Sequence, residues 1–317
     1  MTINKDKRLS KKVSAASISV FRYVIVFGIT FYIVYPLILK LLYMFMAKQD
    51  IYDITVVMVP RHFSLENLKV VTEEMNYFTS LINTLAFSFF VAVLQAFFCF
   101  SVGYGFARFE FPLKKFWFGM VMLTLLIPPQ VIIAPLYMKF RYFDLWGFLS
   151  AFLPRKGINL IGTPFPFILS SVTCVALRNG LFIYIIRQFF RGLPKEFEEA
   201  ANIDGAGFAS TYFRIMLPNA RSLAVTVMLF AFVWQYTDVF YTSWYMPNAN
   251  LLSVKLNSLA INLQSRMLAA NVATVDSAYT NLINSTGALL VILPILLIYF
   301  ILQRQFTESI ERSGIVG

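Results

Sequence analysis

Apolar runs of about 20 residues, separated by polar connections, set the pattern of this chain. A bilayer core takes a helix of about that length, so the pattern predicts an all-α integral membrane protein with about six transmembrane helices. The spans read as Phe21 to Met46, Phe78 to Phe106, Phe116 to Met138, a fourth within Phe165 to Ile186, Leu223 to Tyr241, and Ile283 to Leu302. The first is too long for a signal-peptide core and reads as a retained span. Pro128-Pro129 predicts a kink in the third, because proline removes a backbone donor. The stretch Gly147 to Pro166 is interrupted by Pro154, Arg155, Lys156, Gly157 and Gly162-Thr163-Pro164, and reads as a short surface helix and a loop. Residues 1–20 form an N-terminal segment, 21–303 the transmembrane domain, and 304–317 a tail.

One polar interruption is long and regular. Between the fourth and fifth spans, Pro194-Lys195-Glu196 has the signature of a helix start, with proline in the first turn and acids after it. Glu198, Glu199, Ala200 and Ala201 favour helix, and Gly205 and Gly207 end or bend it. A second short helix, about Ser210 to Met216, leads to Pro218. The residues alone leave two readings open: an amphipathic helix lying on the membrane surface, or a grip for something outside the membrane.

Composition agrees with the span pattern. The 317 residues are 58% hydrophobic and 14% charged, which excludes an ordinary soluble domain. The net charge of +11 comes from basic residues in the connections, so it signals orientation and not a nucleic-acid partner. Lys5, Lys7, Arg8, Lys11, Lys12, Arg108, Lys114, Lys115, Arg187, Arg191, Lys195, Arg214, Arg304 and Arg312 fall on one side of a six-span topology. The positive-inside rule makes that side cytoplasmic, together with both termini and the 194–218 loop. Lys139, Arg141, Arg155 and Lys156 run against the bias. The opposite side holds Gln49 to Asn76 and Ser243 to Thr280. Cys99 and Cys174 lie in apolar runs and imply no disulfide framework.

Polar residues inside spans tend to face a cavity or a partner. The fifth span carries Trp234, Gln235, Tyr236, Thr237 and Asp238, which fit either a sugar-binding path or an interfacial aromatic belt with Asp238 at the water boundary. Arg178-Asn179 in the fourth run fits a substrate contact, a buried pair with a carboxylate, or a polar groove against a second subunit. Asn83 and Gln95 are candidate helix–helix hydrogen bonders, with a pore role as the other option. Asn281 and Asn284 sit at the start of the sixth span without a clear assignment. The single histidine, His62, reads as a solvated loop residue, and a metal site is not expected. There is no G-x-x-x-x-G-K-[ST] phosphate loop, so ATP hydrolysis by that route would need another subunit.

The spacing Glu199-Ala200-Ala201, three residues, Gly205, nine residues, Ile215, one residue, Leu217-Pro218 resembles the EAA signature of bacterial ABC importer permeases. Asn83-Thr84-Leu85, Tyr104-Gly105-Phe106-Ala107-Arg108, Pro128-Pro129, Pro135-Leu136-Tyr137, Arg187-Gln188-Phe189-Phe190 and Val233-Trp234-Gln235 are similar to the carbohydrate branch, especially the second permease subunit of maltose-type importers. The resemblance implies a type I ABC importer fold in a bacterial cytoplasmic membrane. It implies a homologous second permease, two cytoplasmic ATPase subunits that use ATP and Mg, an extracellular or periplasmic solute-binding protein, and an oligosaccharide substrate. This chain itself would bind no cofactor. Glu199, Ala200, Ala201 and Gly205 would form the element that docks in the ATPase, with Glu198 and Asp204 beside it. The fifth span would line the path, with Tyr236 and Thr237 replacing the family's usual aromatic and asparagine. The tail Ser313-Gly314-Ile315-Val316-Gly317 matches the family's glycines but has valine where lysine is common.

A self-contained secondary transporter would show repeated halves and buried ionisable residues, of which only Arg178 gives a hint. A membrane enzyme would need clustered acids, histidines or a nucleophile, and no such cluster stands out.

Overall fold

A computed structural model describes residues 3–144, 157–269 and 276–314. The regular structure among the described residues is helical, apart from two isolated bridges at Met46–Phe63 and Phe143–Ile158. Contacts divide the chain into two compact units, 1–74 with 259–290 and 75–258 with 291–317.

The larger unit is organised on α3 (Tyr77–Arg108), a rod of 32 residues with no internal proline. At 1.5 Å per residue it is about 48 Å long. Helices α4 (Lys114–Leu126) and α5 (Pro129–Arg141) follow, meeting at 106°. Ile127 and Pro128 are extended and Pro129 opens α5. Proline cannot donate to the preceding turn but suits the first position of a new helix. The predicted kink in the third span is therefore a sharp corner.

The fourth span departs further from expectation. It is not one helix but two, α6 (Phe165–Val172) and α7 (Asn179–Gly192). Between them Cys174 and Arg178 adopt left-handed backbone, with φ of 57° and 64°. The amides of Val175 and Ala176 both return to the Ser170 carbonyl, closing the end of α6. Neither piece alone reaches across a bilayer core of about 30 Å.

After α7 come α8 (Glu196–Ile203) and α9 (Phe208–Asn219), the latter containing a π turn at Tyr212–Met216. The chain then bends by 79° into α10 (Arg221–Thr237), and α11 (Phe240–Tyr245) follows. Helices α3, α7 and α10 form the packed centre of this unit. Gly103 allows α3 and α7 to approach closely, and Gly180 lets α7 approach α4. A Cβ on Gly103 would lie 2.6 Å from Ile186 Cγ2, and one on Gly180 would lie 2.7 Å from Thr124 Oγ1. Gln95, buried on α3, donates to the Leu177 carbonyl at 3.4 Å, so its partner is the break between α6 and α7 and not another helix. A second apolar cluster joins Val91, Ile133, Phe140, Phe167, Tyr245 and Met246.

The smaller unit contains α1 (Ile3–Met44) and α2 (Glu66–Glu74). From Ile3 on, helix α1 continues unbroken through the N-terminal segment expected at 1–20. Its apolar side chains from Phe21 to Tyr32 are exposed, which suits a helix surrounded by lipid. Buried Asp50 closes the following loop by accepting from the amides of Arg61 and His62, both at 2.8 Å. Its other oxygen lies 2.7 Å from His62 Nδ1. These bonds, the His62 side chain first, hold the Asp50 carboxyl below the usual carboxylate range. His62 is thus exposed but engaged, a loop clasp and not merely solvated. In this unit Arg266 of α12 (Leu252–Ala269) pairs with Glu74.

Helix α12 occupies much of the connection expected as an outer loop, and α13 (Ser277–Gly314) runs past the expected start of the tail. Among the described residues three helices are long and apolar enough to cross a membrane singly: Ser17–Met44, Tyr77–Arg108 and Ser277–Ile301. The bent pairs α4–α5 and α9–α10 raise the number to five. The shortfall from six is the broken fourth span. Residues 147–156 of the predicted surface segment and 315–317 of the tail lie outside the described residues.

Candidate functional site

The polar loop folds much as its residues predict. Three acids fill the first turn of α8, where they complement the helix dipole. The helix stops because Gly205 turns left-handed, with φ of 75°, a conformation that glycine adopts without steric cost. The amide of Ala206 then reaches back to the Ala201 carbonyl at 2.9 Å.

Within this helix the expected docking residues separate into two sets. Glu199, Ala200, Asp204 and Gly205 are exposed, and so is Ile203, at 86% of its surface. Ala201 is buried and seats the helix. Glu198 also turns inward, with its side chain 20% exposed. Its Oε1 accepts from Tyr104 Oη at 2.6 Å and lies 3.4 Å from Arg108 Nε, an ion pair without hydrogen-bond alignment. Arg108 donates through Nη2 to the Leu193 carbonyl at 2.9 Å. Tyr104 is the centre of a ring cluster. Its centroid lies 5.1 Å from Phe190, 5.0 Å from Tyr212 and 6.0 Å from Phe208. In the sequence Tyr104 stands out only within a family-like motif, and Arg108 within that motif and as a basic residue of a connection. Their i, i+4 spacing on one helix face was the available signal that they act together.

The candidate path residues are dispersed. Trp234, half-buried, stacks between Phe182 and Phe230 at 5.5 and 5.7 Å. Arg178 is exposed, and its guanidinium lies 5.5 Å from the Trp234 ring centre. It sits at the break ahead of α7, not inside a helix, and pairs with no carboxylate among the described residues. The buried carboxylate pair, one of the three readings for Arg178, is therefore not formed among the described residues. Neighbouring Asn179 is buried, with neither side-chain oxygen nor nitrogen hydrogen-bonded.

Gln235 and Tyr236 point into the protein. Tyr236 is 1% exposed and donates to the Val291 carbonyl at 2.9 Å, so it holds α10 in place and does not face a path. Asp238 is also buried, against the expectation of a water-boundary residue. It lies just beyond α10 and accepts from Thr242 N and Thr242 Oγ1, both at 2.8 Å, and from Tyr241 N at 3.3 Å. That is a cap for α11. Asn83 is exposed near the start of α3, donates to the Asn250 carbonyl at 3.2 Å, and lines a cavity of about 410 Å³ with Phe87, Pro164 and Met246. Among the described residues no group of three or more His, Cys, Asp or Glu could hold a metal ion.

A family model described as "Binding-protein-dependent transport system inner membrane component" matches residues 98–312. The chain belongs to this family. This permease component is thus a membrane protein and a part of a transport system, not an enzyme. It is 27% identical over 295 residues to the arabinooligosaccharides transport system permease protein AraQ of Halalkalibacterium halodurans, covering 91% of this chain and 93% of that protein. It is 25% identical over 260 residues to the maltodextrin transport system permease protein MdxG of Bacillus subtilis, covering 80% and 81%. It is 27% identical over 261 residues to the diacetylchitobiose uptake system permease protein NgcG of Streptomyces coelicolor, covering 80% and 75%. A solved bacterial ABC transporter involved in import of the acidic polysaccharide alginate shares the fold. The TM-score is 0.72 at 18% identity, over 92% of this chain and 97% of that one.

Proposed function

We propose that this permease forms half of the translocation pathway of an ATP-driven importer of oligosaccharides. It pairs with a homologous second permease, two ATPase subunits that carry ATP and Mg, and an extracytoplasmic solute-binding protein. The similarity to permeases named for arabinooligosaccharides, maltodextrin and diacetylchitobiose supports the substrate class. The basic connections support a bacterial cytoplasmic membrane with both termini inside.

The observation that carries the reading is the exposed face of α8, ended by the left-handed Gly205. A short helix presenting Glu199, Ala200, Ile203 and Asp204 has the shape and chemistry to enter a cleft on another protein. The acids offer charge-assisted contacts, Ile203 an apolar anchor, and the small alanine a close approach. Gly205→Asp tests it. Left-handed backbone costs a side chain about 1 kcal/mol and the new carboxylate adds charge at the docking edge. Uptake and co-purification of the ATPase subunits are expected to be lost while membrane insertion persists. Wild-type uptake by the variant would remove the coupling role from this loop.

Exposed Arg178, beside the half-buried Trp234 at the broken fourth span, is the part of the expected path that remains available to a sugar. Aromatic faces stack on the CH faces of sugar rings, and guanidinium groups donate to hydroxyls.

A further inference from the structure

We propose that Glu198 is a positioning residue, the joint through which movement of the docking helix α8 reaches the membrane rod α3, and not itself a contact to the ATPase. The proposal rests on the coupling role of the 194–218 loop.

Adjacent acids have opposite fates here. Glu199 is exposed, whereas Glu198 is turned inward and its Oε1 serves both Tyr104 and Arg108. Arg108, with a side chain only 7% exposed, also grips the Leu193 carbonyl. The last turn of α3 therefore holds the end of α7 through Arg108 and the first turn of α8 through Glu198. A displacement of α8 acts on α3 through the short 2.6 Å hydrogen bond and the ion pair, which are directional. The rings of Phe190, Phe208 and Tyr212 surround Tyr104, exclude water and strengthen both contacts.

The far end of the same rod is also tied. Ser80 Oγ lies 2.9 Å from Asn250 Oδ1, and Thr84 Oγ1 accepts from the Leu252 amide at 2.8 Å. Asn83 adds its bond to the Asn250 carbonyl. An unbroken helix thus connects the docking helix to the segment before α12. The alternative route through α7 meets the break at Cys174 and Arg178, where the rigid path is interrupted.

The test uses the complete transporter in liposomes with its loaded solute-binding protein, and measures uptake, ATP hydrolysis and subunit co-purification separately. Tyr104→Phe removes one hydroxyl and keeps the ring cluster, so it preserves the fold. Glu198→Ala removes the joint. Both variants are expected to retain their ATPase subunits while ATP hydrolysed per sugar imported rises about fivefold or more. An unchanged ratio in both variants overturns the proposal. So does loss of the ATPase subunits in Glu198→Ala with a wild-type ratio in Tyr104→Phe, which would make Glu198 a docking contact. These results are separate from the fate of the coupling reading, which Gly205→Asp decides.

Discussion

The loop around α8 and the region around Trp234 both drew attention as polar sequence in an apolar chain, yet they use polar groups in opposite ways. In α8 most of the singled-out side chains face outward and only Ala201 and Glu198 turn in. At the end of α10, Gln235, Tyr236 and Asp238 are buried, and Tyr236 and Asp238 satisfy backbone groups. The difference follows from position. A short helix between longer ones can leave one face free, whereas a helix packed against α3 buries its polar groups, and burial favours internal partners such as those of Tyr236 and Asp238, although Gln235 Nε2 has none. Polar residues in a membrane helix therefore mark function only after internal hydrogen bonding has been subtracted.

Two experiments would break or sharpen that contrast, and a third probes a buried acid elsewhere. Asp238→Ala is expected to have the largest effect on stability. It leaves Thr242 N without its buried acceptor, at a cost of about 1–3 kcal/mol. Thermal unfolding of the purified complex should shift down, whatever sugar is present. Full stability combined with a selective loss of sugar uptake would return Asp238 to the path. Trp234→Ala comes next. If its pair with exposed Arg178 meets the substrate, uptake should fall about tenfold while the ATPase subunits still co-purify, the loss being about 1.4 kcal/mol of stacking. Unchanged uptake kinetics would make the Phe182–Trp234–Phe230 stack a packing element.

The smallest effect is expected at Asp50, a buried acid outside both regions. Its pKa is lowered in the folded protein, so its stabilisation is present above the ordinary carboxylate range and fades as pH falls through the lowered value. Protection of the Arg61 and His62 amides, measured as exchange relative to the intrinsic rate at each pH, should therefore fall in acid, and Asp50→Asn should flatten that dependence. Protection with no acid-specific fall would separate the loop's order from this carboxylate.

Much of the coupling loop was legible because its signals are local. Pro194, the acidic first turn and Gly205 act through their own backbone and the helix dipole, and they announced a short helix starting near Pro194 and ending by Gly205, where α8 runs from Glu196 to Ile203. The path residues were less legible. Trp234 to Asp238 follow one another in sequence, but burial of Gln235, Tyr236 and Asp238 was decided by how α10 packs and where it stops. Arg178 was misplaced for a similar reason. An apolar run from Phe165 to Ile186 reads as one span, and composition carries no mark of two left-handed residues, neither of them glycine, that divide it.

The sequence by itself determined that this is a helical membrane permease with a regular polar loop, because hydropathy, basic connections and motif spacing are properties of the chain alone. Tertiary structure decided which of two adjacent glutamates faces outward, that α3 is the unbroken rod, and that the third and fourth spans are broken. The physical reason is that a carboxylate's partners lie wherever packing brings them. Glu198 meets Tyr104 and Arg108 from about ninety residues away, and nothing local to Glu198 distinguishes it from Glu199.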